Sequence, residues 1–259
     1  MKYVKLNKEN IADEHICCAI SDKKCKKGYE LKKEWLKNAF DEGHTFLRLD
    51  ERGKVFIEYG PAEKAWLPID APNYMNIGCF WVSGKYKKNG HGKALLNQVI
   101  EEAKAKGMNG LVTVVGKKKF HFMSDTKWLL YQGFEVTDEN VSGFNLLTLK
   151  FKKNASEPKF KTIAKNSNDF PKEGYTVIYS NRCPYTEYHV NVSLEETANK
   201  RNLNINRIKL STLEAAQKSP TPATIFSLYY NGVFVTTDIS VCMDSKFDKI
   251  INKSLKTKN

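Results

Sequence analysis

The chain has 259 residues, of which 41% are apolar, 27% charged and 12% aromatic, and it carries a net charge of +13. That is a globular composition, and it excludes disordered, collagen-like and coiled-coil architectures. No run approaches the ~18 apolar residues of a membrane span, and the opening Met1-Lys2-Tyr3-Val4-Lys5-Leu6-Asn7-Lys8 lacks the apolar core of a secretory signal, so a cytoplasmic chain without a membrane partner is expected.

The elements follow in chain order. Tyr3–Leu6 reads as a short strand, and Ile11–Ile20 and Leu31–Phe40 show helical spacing. Cys17 and Cys18 fall in the first of these runs and read as small helix packers. Residues 45–49 and 55–59 alternate like strands around the hairpin turn Asp50-Glu51-Arg52-Gly53. Glu63–Ile69 extends the sheet, and Asn76–Val82 has the continuous apolar character of a central strand. After Lys88-Asn89-Gly90-His91-Gly92 comes a helix with the apolar face Leu95, Leu96, Val99, Ile100 and Ala103, which Gly107 can end. Leu111–Val115 is the next strand. A short helix over 126–132 and strands near 134–136 and 144–151 complete a first domain, residues 1–152.

Residues 153–173 are polar, hold Pro158 and Pro171 and lack sustained periodicity, so they read as a linker, packed along a surface through Phe160 and Ile163. The second domain, 174–259, opens with a strand Tyr175–Tyr179. Then come Cys183-Pro184-Tyr185-Thr186 with a helix and a strand Ile205–Leu210. Ser211-Thr212-Leu213-Glu214 has capping-box spacing and opens a short helix. Thr221-Pro222, two strands around Asn231-Gly232 and a last helix over 246–255 follow. Ser193-Leu194-Glu195-Glu196 also has capping-box spacing, which predicts a helix break there.

The six cysteines, Cys17, Cys18, Cys25, Cys79, Cys183 and Cys242, form no C-x-x-C pair, and no histidine sits at finger spacing from them. Neither a zinc site nor a disulfide framework is expected. The basic excess is spread along the chain, which favours an anionic partner without naming it. Basic faces interleaved with aromatics are not evident, so no nucleic-acid partner is expected.

The most specific signal is the strand, glycine segment and helix over 76–105. Glycines let backbone N–H groups approach phosphate oxygens, and the following helix aims its orphan N–H groups and positive dipole end at the same place. Lys85, Lys87, Lys88 and Lys93 add positive charge. The pattern is neither a P-loop nor a dinucleotide fingerprint. A diphosphate held by main chain beside an apolar strand suits a long thin ligand lying along Gly78-Cys79-Phe80-Trp81-Val82.

The segment from Phe80 through Lys87, Gly90 and Gly92 to Leu96 resembles the acetyl-CoA segment of the GCN5-related N-acetyltransferases, the GNAT family, whose strand precedes Q/R-x-x-G-x-G/A. Lys87, Gly90 and Gly92 match the three marked positions, with lysine standing for Gln or Arg. The resemblance covers residues 1–152 and implies a GNAT mixed-sheet acyltransferase fold with acetyl-CoA as co-substrate. It places the CoA diphosphate on the amides of Lys88, Asn89, Gly90, His91, Gly92 and Lys93. The pantetheine arm would lie against Phe80, Trp81 and Val82, with Leu111–Val115 as the splayed partner strand. Lys117-Lys118-Lys119 reads as an exposed lysine run. The acceptor implied is a small amine or amino-acid-like molecule, which must lose a proton; Glu58 is the first candidate base, with a solvated strand carboxylate as the other reading. Family members often place a tyrosine in the helix after the second strand, where it protonates the thiolate. Here that position falls on Leu129, and Tyr131 sits about 200° round the helix at ~3.6 residues per turn. Cys79 lies near the expected thioester and reads as a buried strand thiol.

The second domain resembles a smaller thioredoxin- or glutaredoxin-like α/β domain, and with the first it resembles acetyltransferases carrying a YoaP-like carboxy-terminal domain. Cys183 at a helix N-terminus beside Arg182 would gain thiolate character. Thr186 replaces a second cysteine, so the motif holds no two-thiol cycle, and Pro222 would be cis. Two readings of Cys183 stand: a redox-active or substrate-binding thiol, or a relic in a domain that packs on the first and shapes its acceptor pocket. The corresponding alternative for the whole chain is a thiol-handling protein whose first domain senses CoA.

Overall fold

The computed structural model describes residues 1–166, 171 and 173–256. Strand β1 (Tyr3–Lys5) leads through an irregular segment to α1 (Lys26–Asp41), and β2 (Thr45–Leu49) and β3 (Val55–Pro61) form the expected hairpin. β4 (Ile69–Asp70) precedes the long strand β5 (Tyr74–Val82), helix α2 (His91–Ala105) and strand β6 (Gly110–Gly116). α3 (Thr126–Tyr131), β7 (Glu135–Glu139) and β8 (Phe144–Lys150) follow, then β9 (Lys159–Phe160) and α4 (Thr162–Asn166). The main sheet has the order β1-β2-β3-β5-β6-β8-β7.

In this sheet β5 and β6 are the parallel pair, and their register runs only from Tyr74–Gly110 to Asn76–Val112. Past Asn76 the ladder ends: the Thr113 hydroxyl of β6 still donates to the Ile77 carbonyl at 2.9 Å, and beyond it the edge of β5 that faces β6 has no strand partner among the described residues. An extra residue in β5 around Gly78–Cys79, opposite Glu58, breaks the register with β3. Such a bulge re-aims the side chains beyond it: Phe80 and Val82 pack with Met75 and Ile77 under α2 and α3, where Leu95, Leu96, Val99, Ala103 and Leu129 are buried. The other face carries Phe46, Phe56, Trp35 and Leu36 under α1.

The second unit consists of β10 (Tyr175–Tyr179), α5 (Thr186–Tyr188), a π-wound turn over His189–Ser193, α6 (Leu194–Asn199), β11 (Ile205–Lys209), α7 (Leu213–Gln217), β12 (Phe226–Tyr230), β13 (Val233–Thr236) and α8 (Asp244–Lys256). Its sheet runs β11-β10-β12-β13, with β10 parallel to β11 and antiparallel to β12. One apolar cluster spans both units, joining Tyr74, Val114, Phe144 and Leu146 to Ile178, Leu210, Tyr229 and Phe234. Polar ties add Gln217 Nε2 to the Glu63 carbonyl at 2.8 Å and Thr224 Oγ1 to the Trp66 carbonyl at 2.6 Å.

Several expectations change. Ile11–Ile20 is not helical: Cys17 and Ala19 have φ of 63° and 54°, which no helix accommodates, so Ile11, Ile16 and Cys17 are buried as separate plugs and the cysteines are not helix packers. Between Pro61 and Pro68 the chain makes a 3₁₀ turn rather than a strand of the main sheet, because proline removes ladder donors. β4 instead pairs with β9, so the beginning of the expected linker is sewn to the first unit and Phe160 is buried; residues 167–170 and 172 of that linker lie outside the described residues. Ser193 is helical rather than a cap, and its Oγ donates to the Cys242 carbonyl at 2.9 Å. The cap over 211–214 is Thr212, which accepts from the Ala215 N–H. No cis peptide bond occurs among the described residues, so Thr221–Pro222 is trans.

Gly28 on α1 shows how close the units approach. A Cβ there would stand 2.1 Å from the Pro184 carbonyl oxygen, a contact with rigid backbone. Gly28→Ala is therefore expected to separate α1 from the 183–187 segment and lower stability by about 1–3 kcal/mol, the usual range for overpacking. Urea unfolding checks this, and an unchanged midpoint would mean that the units do not meet there.

Candidate active site

The opening between β5 and β6 ends at the head of α2. Lys88 and Gly90 both adopt left-handed backbone, φ 64° and 79°, and Gly90 is the helix N-cap without a side-chain cap. Among the described residues, the main-chain N–H groups of Lys88, Asn89, Gly90, His91, Gly92 and Lys93 have no acceptor in the protein. These are six donors at the positive end of a 15-residue helix. Lys87, Lys88, Asn89, Gly90 and Lys93 are exposed, and none of these lysines is in an ion pair among the described residues. The His91 side chain turns inward, its Nδ1 3.1 Å from Tyr3 Oη, so His91 presents only its amide. Gly92 leaves room for Trp128, which stands edge-on to Phe80. Tyr86 fits over Gly53 and donates to Glu51 at 2.8 Å, bracing the loop from below. Phe80 and Val82 are half-buried along the slot wall and Trp81 is exposed. The chemistry of the donor set fits a diphosphate, and the free strand edge fits an amide-bearing arm.

The opposite face of the sheet holds the titratable groups. Glu58 is 3% exposed and Lys32 2% exposed. Glu58 Oε2 accepts from Lys32 Nζ at 2.7 Å and lies 3.2 Å from His44 Nε2. Burial by itself would raise the Glu58 pKa, but the Lys32 charge and the hydrogen bonds from His44 and Lys32 bring it down to about 2. The solvated carboxylate considered from sequence is thus a buried, ion-paired one. Burial lowers the His44 pKa below its ordinary value, only partly offset by Glu58. An ionised Glu58 fixes the proton on Nε2 and leaves the lone pair on Nδ1.

His44 lines a cavity of about 390 Å³ with Trp35, Trp66, Asn76, Asn181 and Lys209, closed by both units. The Oδ1 atoms of Asn76 and Asn181 are buried without a hydrogen-bond partner. A second cavity, of about 40 Å³, adjoins it: Asn76, Trp66 and Asn181 line the larger one, and their chain neighbours Ile77, Leu67 and Arg182 line the smaller, together with Gly78 and Val114 of the diverging strands.

Cys183 does not gain thiolate character. It is buried, and desolvation, with a smaller contribution from Cys18, pushes its pKa well up. The helical run beyond it continues from Thr186 through the π-wound turn to Asn199, so burial outweighs the favourable end of that helix at the thiol. Native protein at pH 8 is accordingly expected to leave Cys183 unmodified by iodoacetamide while urea-unfolded protein is modified fully; mass mapping distinguishes the two, and rapid native labelling would contradict the buried assignment. Cys79 is a half-buried thiol, its pKa pushed up to about 12 by desolvation. Leu129 is buried and Tyr131 is 87% exposed, so neither stands ready as an acid at the slot. Lys117 pairs with Glu139, leaving Lys118 and Lys119 on the surface.

Comparisons with known proteins give two family matches: residues 9–119 to the Acetyltransferase (GNAT) family and residues 204–249 to the YoaP-like family. The chain is 44% identical over 252 residues to a Bacillus subtilis (strain 168) protein described as "Uncharacterized N-acetyltransferase YoaP", covering 97% of this chain and 99% of that one. Among solved structures it is similar to the PaiA N-acetyltransferase of Thermoplasma acidophilum in complex with coenzyme A, with a TM-score of 0.39 and 18% identity over 58% of this chain and 100% of the other. It is also similar to an aminoglycoside 6'-acetyltransferase type Ii, with a TM-score of 0.42 and 14% identity over 60% and 99%.

Proposed function

The chain belongs to the GNAT N-acetyltransferases that carry a YoaP-like carboxy-terminal unit, and on that premise we propose that it moves the acetyl group of acetyl-CoA to a small primary amine held between its two units. The observation that carries the reading is the pairing of β5 with β6 ending at Asn76 while six unpaired amides gather at the far end of the same strand. The CoA diphosphate lies on the amides of Lys88–Lys93 with Lys87 beside it. The pantetheine arm follows Phe80–Val82, which brings the thioester to the bulge at Gly78–Cys79, about 13 Å further on at ~3.3 Å per residue.

The amine occupies the larger cavity. The two orphan Asn oxygens accept its N–H groups, and the nearby Lys32 and Arg182 charges favour its unprotonated form. His44 Nδ1 takes the proton released on attack. Glu58 serves as the positioning residue, because a carboxylate with a pKa of about 2 holds a proton too weakly to act as base. The strand order of the second unit supports a thioredoxin-type fold, although its Thr221–Pro222 bond is trans, and the buried Cys183 supports a wall-forming role over thiol chemistry. The test is thiol release from acetyl-CoA with a panel of primary amines: glycinamide, tyramine, putrescine, spermidine and an aminoglycoside. Amine-dependent release is expected, and its absence across the panel at millimolar concentrations would remove this reading of the site.

A further inference from the structure

Arg182 is a buried cation that the reaction so far described uses only as a distant charge, without contact to the reacting atoms. It belongs to the second unit, yet its guanidinium stands over the first: Nη2 would be 3.3 Å from a Cβ on Gly78, at the bulge where β5 leaves β6. Nη1 donates to the Trp66 carbonyl at 3.3 Å and to Thr224 Oγ1 at 3.1 Å, and the guanidinium carbon lies 5.6 Å from the Trp35 ring centre. These contacts fix the fork. Nε is buried without a partner, and Nη2 makes no hydrogen bond among the described residues. Among the described residues no carboxylate forms an ion pair with it; Glu58, the carboxylate whose charge acts on it, is taken by Lys32 and His44. Burial lowers its pKa from the ordinary value, as expected of an uncompensated cation. A guanidinium held this deep with donors to spare is costly unless negative charge arrives beside it. The cavity it lines, with Gly78 and Val114 of the two strands, is only about 40 Å³, the size of a small group rather than of a molecule.

We propose that Arg182 is a catalytic residue supplied by the YoaP-like unit, which holds the negative charge formed when the thioester at Gly78 is attacked. The inference rests on the acetyl-transfer reading above. In the step, the amine nitrogen lone pair forms the C–N bond to the carbonyl carbon, and the carbonyl π pair moves onto oxygen beside Nη2. As the carbonyl re-forms, the C–S bond breaks and its electron pair leaves on sulfur as CoA thiolate. The proton lost by the nitrogen goes to His44 Nδ1 and from there to solvent. A fixed cation lowers the barrier at both stages and makes a protonating side chain at the Leu129 position unnecessary. The second unit is then part of the catalytic centre as well as a wall.

The test uses the full chain with acetyl-CoA and the amine from the panel that gives the fastest wild-type release. Arg182→Gln and Arg182→Lys are expected to lower kcat about 10²–10³-fold, the range for losing one preorganised charge stabiliser. The calorimetric Kd for CoA and the thermal midpoint of Arg182→Lys should stay close to wild type. Guanidinium ion at tens of millimolar should restore part of the rate to Arg182→Ala and leave wild type unchanged. Full activity in a folded Arg182→Gln or Arg182→Lys overturns the proposal. So does a rate loss matched by lost CoA affinity and lost stability in both variants without guanidinium rescue, which would make Arg182 a tie between units. A wild-type chain inactive with every amine overturns the acetyl-transfer reading and this inference with it, whereas active wild type with equally active variants overturns this one alone.

Discussion

Glu58→Gln is expected to lower the stability of the whole chain by about 3–5 kcal/mol, the usual result of removing one partner from a buried ion pair. The variant leaves Lys32 Nζ inside the protein without its carboxylate, facing a neutral amide and the Trp35 ring, 4.2 Å away. Against a typical domain stability of about 5–15 kcal/mol this is a large share. Adding Lys32→Met should recover part of the loss, since it removes the buried charge left without a partner. Acid titration carries the same signature. The folded Glu58 pKa of about 2 lies below its ordinary value, so its contribution is fully present above pH ~4.5 and is lost as the pH falls towards 2. His44 works in the same direction: a folded pKa below 6.5 means stability present above that pH and lost beneath it. Urea unfolding from pH 7 to 3 should therefore show a weaker acid dependence in Glu58→Gln than in wild type. Equal midpoints for the two proteins at pH 7 would show that Glu58 and Lys32 are not paired inside.

His44→Ala is expected to cut kcat about 10²–10⁴-fold, the range for losing a positioned general base, while CoA affinity stays the same. The residue touches none of the cradle, and Glu58 keeps its Lys32 partner when the imidazole is gone. The pH profile separates a base from a packing residue. Because burial lowers the His44 pKa, the neutral imidazole persists below pH 6.5, so the wild-type rate should hold through neutrality and fall only on the acid side of that value. The variant should lose this acid limb. A variant with the wild-type rate, or with a proportionate loss of CoA binding, would remove His44 from the proton path.

Of the proposed site, the half that would hold CoA is legible in the sequence because its geometry is local. Gly90, Gly92 and the helix after them lie within a few residues of one another, and both the left-handed N-cap and the helical start follow from residue type. The acceptor half depends on contacts distant in sequence. His44 reaches Glu58 because β2 and β3 pair Phe46 with Glu58, and Lys32 arrives from the buried face of α1. A lone histidine or lysine carries no such signal. Arg182 stood out only as the neighbour of Cys183, and its position over Gly78 follows from how the two units dock. The expectation for Cys183 is reversed because its thiol packs with Val177, Tyr179 and Val190 in the core of the second unit and is desolvated there. The segment over 11–20 misled for a related reason: its apolar spacing reflects separate plugs around Leu6, Phe46 and Phe56, which mimic a helical stripe.

Hydrogen exchange at the head of α2 is the most direct measurement. In the free chain the amides of Lys88, Asn89, Gly90, His91, Gly92 and Lys93 have no acceptor among the described residues and should exchange within seconds. Saturating CoA should slow this group markedly, and pantetheine, which lacks the diphosphate, should not. CoA that binds while these amides exchange as before, or CoA that fails to bind at millimolar concentration, would contradict the account at its root.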